Sequence, residues 1–161
     1  MIIRDARLDD TDGIINLLYQ VNQVHADGRN DLFKSGGIKY TAEDLKDKIG
    51  KKGAPIYVAV EDDKILGYVF CQIEDTKETT SVKPHRTLYI DDLCVDSVSR
   101  GKHVGSALYE YTKEKAKELG VYHITLHVWE CNPEARKFYD SLGLSPMYTA
   151  MEEILQTGDS V

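Results

Sequence analysis

Cysteine is scarce in this chain: Cys71, Cys94 and Cys131 are widely spaced and odd in number. With no CxxC pair, neither a zinc knuckle nor a disulfide framework is expected, and reduced, buried or partly buried thiols are. No apolar run approaches the ~20 residues a membrane span needs. The first ten residues, MIIRDARLDD, put acidic side chains where an export signal needs an apolar stretch. No export signal, no membrane partner and a cytoplasmic location are therefore expected. Positive charge is also in deficit, with 20 Lys and Arg against 27 Asp and Glu and a net charge of −7. Nucleic-acid binders need a basic face, so no nucleic-acid partner is expected. The acidic balance mildly favours a cationic partner such as an amine.

What remains is ordinary globular material. The 161 residues, 42% hydrophobic and 29% charged, read as one domain over 1–161 with a substantial core. Ile2 to Leu8 alternates as a strand, and Asp9 with Asp12 reads as the start of a helix ending near Gly28. Its inner stripe is Ile14, Ile15, Leu18, Val21 and His25. Thr41 opens a second helix with Leu45 and Ile49 inward. Ile56–Val60 and Ile65–Ile73 read as a hairpin turning at Asp62 and Asp63, followed by a polar loop from Glu74 to His85. Leu88 to Val95 is a strand, Val104 to Leu119 a helix, Tyr122 to Val128 a strand parallel to Leu88–Val95. Asn132-Pro133 opens a helix that ends before Gly143. Leu144–Tyr148 and Ala150–Leu155 are read as closing strands, and the last six residues as a frayed end.

The stretch Leu88 to Leu108, LYIDDLCVDSVSRGKHVGSAL, organises the rest. A strand, a glycine-containing turn and a helix N-terminus in that order make an anion site. The helix's first amides lack internal partners, and its dipole adds positive charge. Arg100 and Lys102 add full charges. The spacing fits neither G-x-x-x-x-G-K-[ST] nor G-x-G-x-x-G, which excludes a nucleotide hydrolase or kinase. It fits [QR]-x-x-G-x-[GA], with His103 in place of the first glycine. Asp91 and Asp92 stand in a strand expected to be buried on both faces, where a sheet without function has little reason to hold them. Alternation sends them to opposite faces. One of them could instead pair with Arg86, Arg4 or Arg7. His123 and His127 lie about 13 Å apart in a strand, too far to share one ion, so no metal is expected.

The turn resembles that of the GNAT N-acetyltransferase superfamily, which carries [QR]-x-x-G-x-[GA] after its central strand and binds the pyrophosphate of acetyl-coenzyme A there. A second stretch, Trp129 to Leu144, resembles the superfamily segment N-x-x-A-x-x-x-Y-x-x-x-G-[FL]. Taken alone, Phe138 and Tyr139 read as core aromatics and Asn132 as a helix cap; with the upstream motif, the functional reading is preferred. The resemblance implies an α/β GNAT fold: a mixed sheet, antiparallel over strands 1–4 and parallel over 4–5, with helices on both faces. It implies acetyl transfer from acetyl-coenzyme A, as co-substrate, directly to a primary amine of a small molecule or peptide. A non-catalytic sensor of acyl-coenzyme A is the alternative. The implied cofactor contacts are Leu93, Cys94, Val95, Arg100, Gly101, Lys102, His103, Val104, Gly105, Ser106, Asn132 and Arg136. Tyr139 is the implied acid, with no covalent cysteine intermediate. The string YIDDLCVDSVSRG is similar to the spermidine/spermine and diamine acetyltransferase branch. That likeness implies Asp91 as the carboxylate acting through water, Asp92 as a second contact and polycationic acceptors. His25, Arg29, Asp31 and Phe33 fall where such proteins shape the acceptor pocket, although His25 reads first as a core or surface histidine. Many such proteins pair through C-terminal strands, which leaves a homodimer open as a partner.

Overall fold

Apolar alternation and β-branched residues build five strands, seen in a computed structural model that describes residues 1–155. The end expected to fray lies outside the described residues. The strands are β1 (Ile2–Asp5), β2 (Ile56–Glu61), β3 (Lys64–Thr76), β4 (His85–Val95) and β5 (His123–Leu126). They lie side by side in chain order. β1 to β4 pair antiparallel, and β4 with β5 pairs parallel. The mixed α/β sheet expected from the sequence is therefore present.

The helices are α1 (Thr11–Gly28), α2 (Ala42–Lys48), α3 (Val104–Glu118) and α4 (Pro133–Ser141). On one face Ile14, Leu17 and Leu18 of α1 and Leu45 of α2 cover Val58, Tyr68 and Phe70. On the other, Leu108 and Ala116 of α3 cover Val69, Leu88 and Ile90. Each large apolar side chain among them contributes about 1.5–3 kcal/mol by leaving water.

Four local expectations need correction. α1 does not start from Asp9. A short 3-10 turn, Leu8–Asp10, precedes it, and the Asp10 carboxylate takes the Arg7 amide at 2.7 Å and the Arg4 guanidinium at 2.7 and 2.9 Å. The polar loop after β3 is shorter than expected, because the β3–β4 ladder continues to Thr76↔His85 and Arg86 grips Asp75 at 2.7 Å. β5 is also shorter, ending at Leu126. Finally, Leu144–Tyr148 and Ala150–Leu155 form no strands. Pro146 lacks a ladder donor and the apolar residues do not alternate. Side chains tether that segment instead: Tyr148 to His127, and Glu152 to Arg29 at 2.6 Å.

Candidate active site

β4 has two neighbours for only half of its length. The parallel ladder with β5 stops at Ile90↔Leu126, while β4 continues to Val95 against β3 alone. Asp96 donates its amide to Leu66 of β3 at 2.8 Å. Counting back along an antiparallel ladder, Cys94 and Asp92 face β3 in the same way, and Leu93 and Val95 turn their amides into the gap. Cys94, one of the implied cofactor contacts, turns its amide to β3.

A bulge sits at the point where β5 departs. Phe70 pairs with Asp92 and Cys71 with Ile90, leaving Asp91 as the extra residue. Before it, Leu88 and Ile90 pack toward α3; after it, Leu93 and Val95 do. The alternation switches phase between them, so Asp91 and Asp92 both turn toward α1 and α2. The Tyr40 hydroxyl donates to Asp91 Oδ2 at 2.6 Å, and the Tyr68 hydroxyl to Asp92 Oδ2 at 2.9 Å. Both tyrosines belong to the α1–α2 side of the core. Opposite faces, expected from strict alternation, is thus wrong. The proposed partners are wrong as well: Arg86 pairs with Asp75, and Arg4 with Asp10. Asp91 instead takes Lys39, Nζ to Oδ1 at 2.9 Å, and the same ammonium donates to the Asp91 carbonyl at 3.1 Å.

The two carboxyls differ electrostatically. Burial raises Asp92 to about 6, against the partial relief of Lys39, the Tyr68 hydroxyl and the Leu93 amide. A carboxyl poised near neutrality beside a cleft is suited to accept a proton.

The chain then makes a short 3-10 turn at Ser97–Ser99 and reaches α3 through Gly101 (φ 76°) and His103 (φ 61°). His103 therefore occupies the left-handed region that glycine adopts most readily. Its carbonyl takes the Ala107 amide at 3.0 Å, and no side chain caps the helix. The amides of Val104, Gly105 and Ser106 have no partner within the helix. Arg100 and Lys102 are exposed beside them. A β-carbon on Gly105 would stand 3.1 Å from Phe138 and 3.4 Å from Val95, so the glycine lets α4 close against this turn. The residue after Phe138, Tyr139, is half-buried. Burial and then Asp92 hold its phenol protonated well above the usual tyrosine range.

A gap between parallel strands, uncapped amides at its end, an acidic pair and a protonated phenol are thus gathered at one end of β4. The Acetyltransferase (GNAT) family model matches residues 22–144, well over half of the chain. The chain belongs to the GNAT acetyltransferase family. Over 101 residues it is 29% identical to an uncharacterized N-acetyltransferase of Lactobacillus delbrueckii subsp. lactis, covering 63% of this chain and 57% of that one. Over 57 residues it is 35% identical to glucosamine 6-phosphate N-acetyltransferase of Arabidopsis thaliana, covering 35% of this chain and 36% of that one. The match thus spans less than two thirds of either curated relative. A mutant of the BH1408 protein from Bacillus halodurans superposes with a TM-score of 0.93 at 30% identity, over 97% of this chain and 100% of that chain.

Several other residues singled out in the sequence of this GNAT chain meet neighbours of their own or are buried. Asn132 caps α4, Oδ1 accepting the Ala135 amide at 3.1 Å, which leaves its amide nitrogen available. Arg136 lies along α4 and pairs with Asp140 at 3.1 Å and Glu130 at 3.7 Å. Cys94 and Cys71 are buried, and burial lifts both thiols to about 12. His123 meets Thr87 at 2.8 Å, and His127 meets Tyr89 and Tyr148. Among the described residues no group of His, Cys, Asp or Glu is arranged to hold a metal, and no helix is long and apolar enough to cross a membrane.

Of the residues expected to shape an acceptor pocket, His25 and Phe33 join Trp129 in an aromatic cluster, with centroids 5.1 and 5.3 Å apart along the series His25–Phe33–Trp129. Arg29 pairs with Asp31 at 2.8 Å and lies 5.9 Å from the Trp129 ring centroid. Sequence reasoning missed Lys39, Tyr40 and Tyr68. The first two fall in a loop without periodicity, and Tyr68 reads as one more apolar strand residue.

Proposed function

We propose that this protein is an acetyl-coenzyme A-dependent N-acetyltransferase that passes the acetyl group directly to a primary amine within a ternary complex. The observation that carries the reading is the coincidence of the β4–β5 gap with Asp92 and Tyr139. The residues present suit the co-substrate. Val104, Gly105 and Ser106 offer uncapped amides to a pyrophosphate, with Arg100 and Lys102 alongside. Val95 offers an open-edge amide to an amide-bearing arm, the Leu93 amide becomes available as Asp92 takes a proton, and Asn132 has a nitrogen to spare. When bound, acetyl-coenzyme A supplies an acyl thioester with an electrophilic carbonyl carbon.

The chain's own groups then have separate tasks. An alkyl ammonium has a pKa of about 10, so the acceptor must lose a proton before it can attack. Asp92, raised to about 6, takes that proton more effectively than Asp91, whose carboxylate is occupied by Lys39. This reverses the preference for Asp91 drawn from the sequence. The amides of Leu93 and Val95 receive developing charge on the carbonyl oxygen. Tyr139, kept protonated by burial and by Asp92, returns a proton to the leaving thiolate. Neither buried thiol is free to form an acyl-enzyme.

Among acceptors, the Lys39 ammonium leaves one uncompensated carboxylate, which favours a singly charged amine over the polyamine suggested by YIDDLCVDSVSRG. The amino sugar in the name of the Arabidopsis relative is also a primary amine. Thiol release from acetyl-coenzyme A across polyamines, amino sugars, amino acids and peptides tests the reading. Acceptor-dependent release supports it. Bound co-substrate with no release for any amine would instead favour an acyl-coenzyme A sensor.

A further inference from the structure

One amine of the chain already stands beside the acidic pair. Lys39 reaches from the loop before α2 and sets Nζ 2.9 Å from Asp91 Oδ1 and 3.1 Å from the Asp91 carbonyl. Its charge acts on Asp92, and Asp92 in turn acts on Tyr139. Lys39, the two carboxyls and the phenol therefore form one electrostatic chain along the mouth of the β4–β5 gap. The Asp91 side chain is 13% exposed while the Lys39 side chain is 43% exposed, so the lysine covers the carboxylate and stays reachable itself. Exposed Lys51 and Lys52 lie in the turn after α2, with no carboxylate within ion-pair distance among the described residues.

We propose that Lys39 is itself an acetyl acceptor: the protein acetylates this lysine within the same molecule and thereby uncovers Asp91. The inference rests on the acetyltransferase reading above. In the step, Nζ first gives one proton to the neighbouring carboxylates. The amine then forms a C–N bond to the thioester carbonyl carbon. The C–S bond breaks, the leaving thiolate takes the second nitrogen proton, and the first passes to solvent. The products are an N-acetyl side chain, free thiol and one proton. An amide carries no charge, so the ion pair with Asp91 is lost and both carboxyls face the incoming acceptor. The modified protein should then favour polycationic acceptors more than the unmodified one.

The full chain is incubated with acetyl-coenzyme A, and acetylation at each lysine is followed over time by peptide mass spectrometry. Thiol release with an external amine is measured in parallel. Lys39 should be acetylated at least about tenfold faster than Lys51 and Lys52, a difference of roughly 1.4 kcal/mol in barrier. Its rate constant should not depend on protein concentration, and the advantage should vanish in urea. Asp91→Asn, which removes the ion-pair anchor, should bring Lys39 down to the rate of the exposed lysines while thermal melting checks its folding. Equal labelling of Lys39, Lys51 and Lys52 in the native protein overturns the inference. So does a rate that rises with protein concentration, or an Asp91→Asn protein that folds and keeps the advantage. If external amines turn over while Lys39 stays unmodified, the inference falls and the acetyltransferase reading stands. If neither acquires acetyl groups, both fall.

Discussion

The two halves of β4 obey different rules. From Thr87 to Ile90 the strand is paired on both sides, and Leu88 and Ile90 are buried under α3. From Asp91 to Val95 it is paired with β3 alone. It carries two carboxyls, an open-edge amide at Val95 and a Leu93 amide that its own neighbour Asp92 takes. The first half gives its backbone to two ladders and its apolar side chains to the core. The second half has no strand on one side, and its carboxyls meet side chains rather than the sheet: Asp91 meets Lys39 and Tyr40, and Asp92 meets Tyr68. The bulge at Asp91 is where the strand changes from one rule to the other. The proposed site lies where the ladder stops, because a backbone group satisfied by the fold has nothing left to offer a ligand.

Exchanging the character of the halves tests this contrast most severely at Asp92. Asp92→Asn keeps an acceptor for the Tyr68 hydroxyl but removes the proposed base, so the rate should fall by about 10²–10⁴-fold. In the native enzyme kcat/KM should fall as pH drops through about 6, where the carboxyl takes its proton. The stability effect runs the other way. The native pKa lies above the ordinary 3.8, so ionising the buried group costs stability. That cost is absent below the ordinary value, grows as pH rises from it toward 6, and is complete above 6. Asp92→Asn should thus gain on the order of 1–3 kcal/mol at pH 8 and nothing near pH 3. Denaturant melts at the two pH values, set beside the rates, check both signs. A variant less stable at pH 8 would show that Asp92 belongs to the first half's logic.

In the doubly paired half the expectation is inverted. Leu88 is wholly buried, so Leu88→Ala should cost about 2–5 kcal/mol of stability. The folded fraction should keep its rate, since Leu88 faces α3 and not the acidic pair. Activity per folded molecule, measured below the melting range, decides this. A specific loss of rate would mean that the two halves are coupled.

How far this division could be read from the sequence depends on which periodicity each residue belongs to. Helical stripes and strand alternation place α1, α3 and the sheet order, and the paired half of β4 follows as Leu88 and Ile90 under α3. The bulge leaves no periodic trace. One inserted residue shifts everything after it, so alternation across Leu88–Val95 puts Asp91 and Asp92 on opposite faces when they share one. Lys39 meets Asp91 across 52 residues of chain, a distance no local pattern spans. The gap was legible only through the family resemblance, since a ladder that ends at Ile90↔Leu126 is a property of two strands together. Leu144–Leu155 misleads for the opposite reason: its composition suits a strand, but Pro146 and the adjacent Met147 and Tyr148 do not suit a ladder.

Tyr139 tests whether the phenol belongs to the open half. Tyr139→Phe keeps the ring beside Phe138 (centroids 5.2 Å apart) and deletes only the hydroxyl with its proton. Acetyl transfer should slow by about 10- to 100-fold, the low end for a general acid because a thiolate leaves readily. Affinity for acetyl-coenzyme A and the melting temperature should hold. Unchanged turnover would remove Tyr139 from the chemistry and leave it a packing residue of α4.

His103→Gly should have the smallest effect and sharpens the contrast at its far end. A side chain at φ 61° costs about 1–2 kcal/mol in the left-handed region. Glycine gives back roughly 0.5–1 kcal/mol through the entropy it loses on folding. The two nearly cancel, so stability should rise by no more than about 1 kcal/mol. Because the Val104, Gly105 and Ser106 amides do not depend on the side chain before them, the dissociation constant for acetyl-coenzyme A should be unchanged by calorimetry. A tenfold weakening, about 1.4 kcal/mol, would make the imidazole a phosphate contact in its own right, and this turn would then grip its anion with a side chain as well as with backbone.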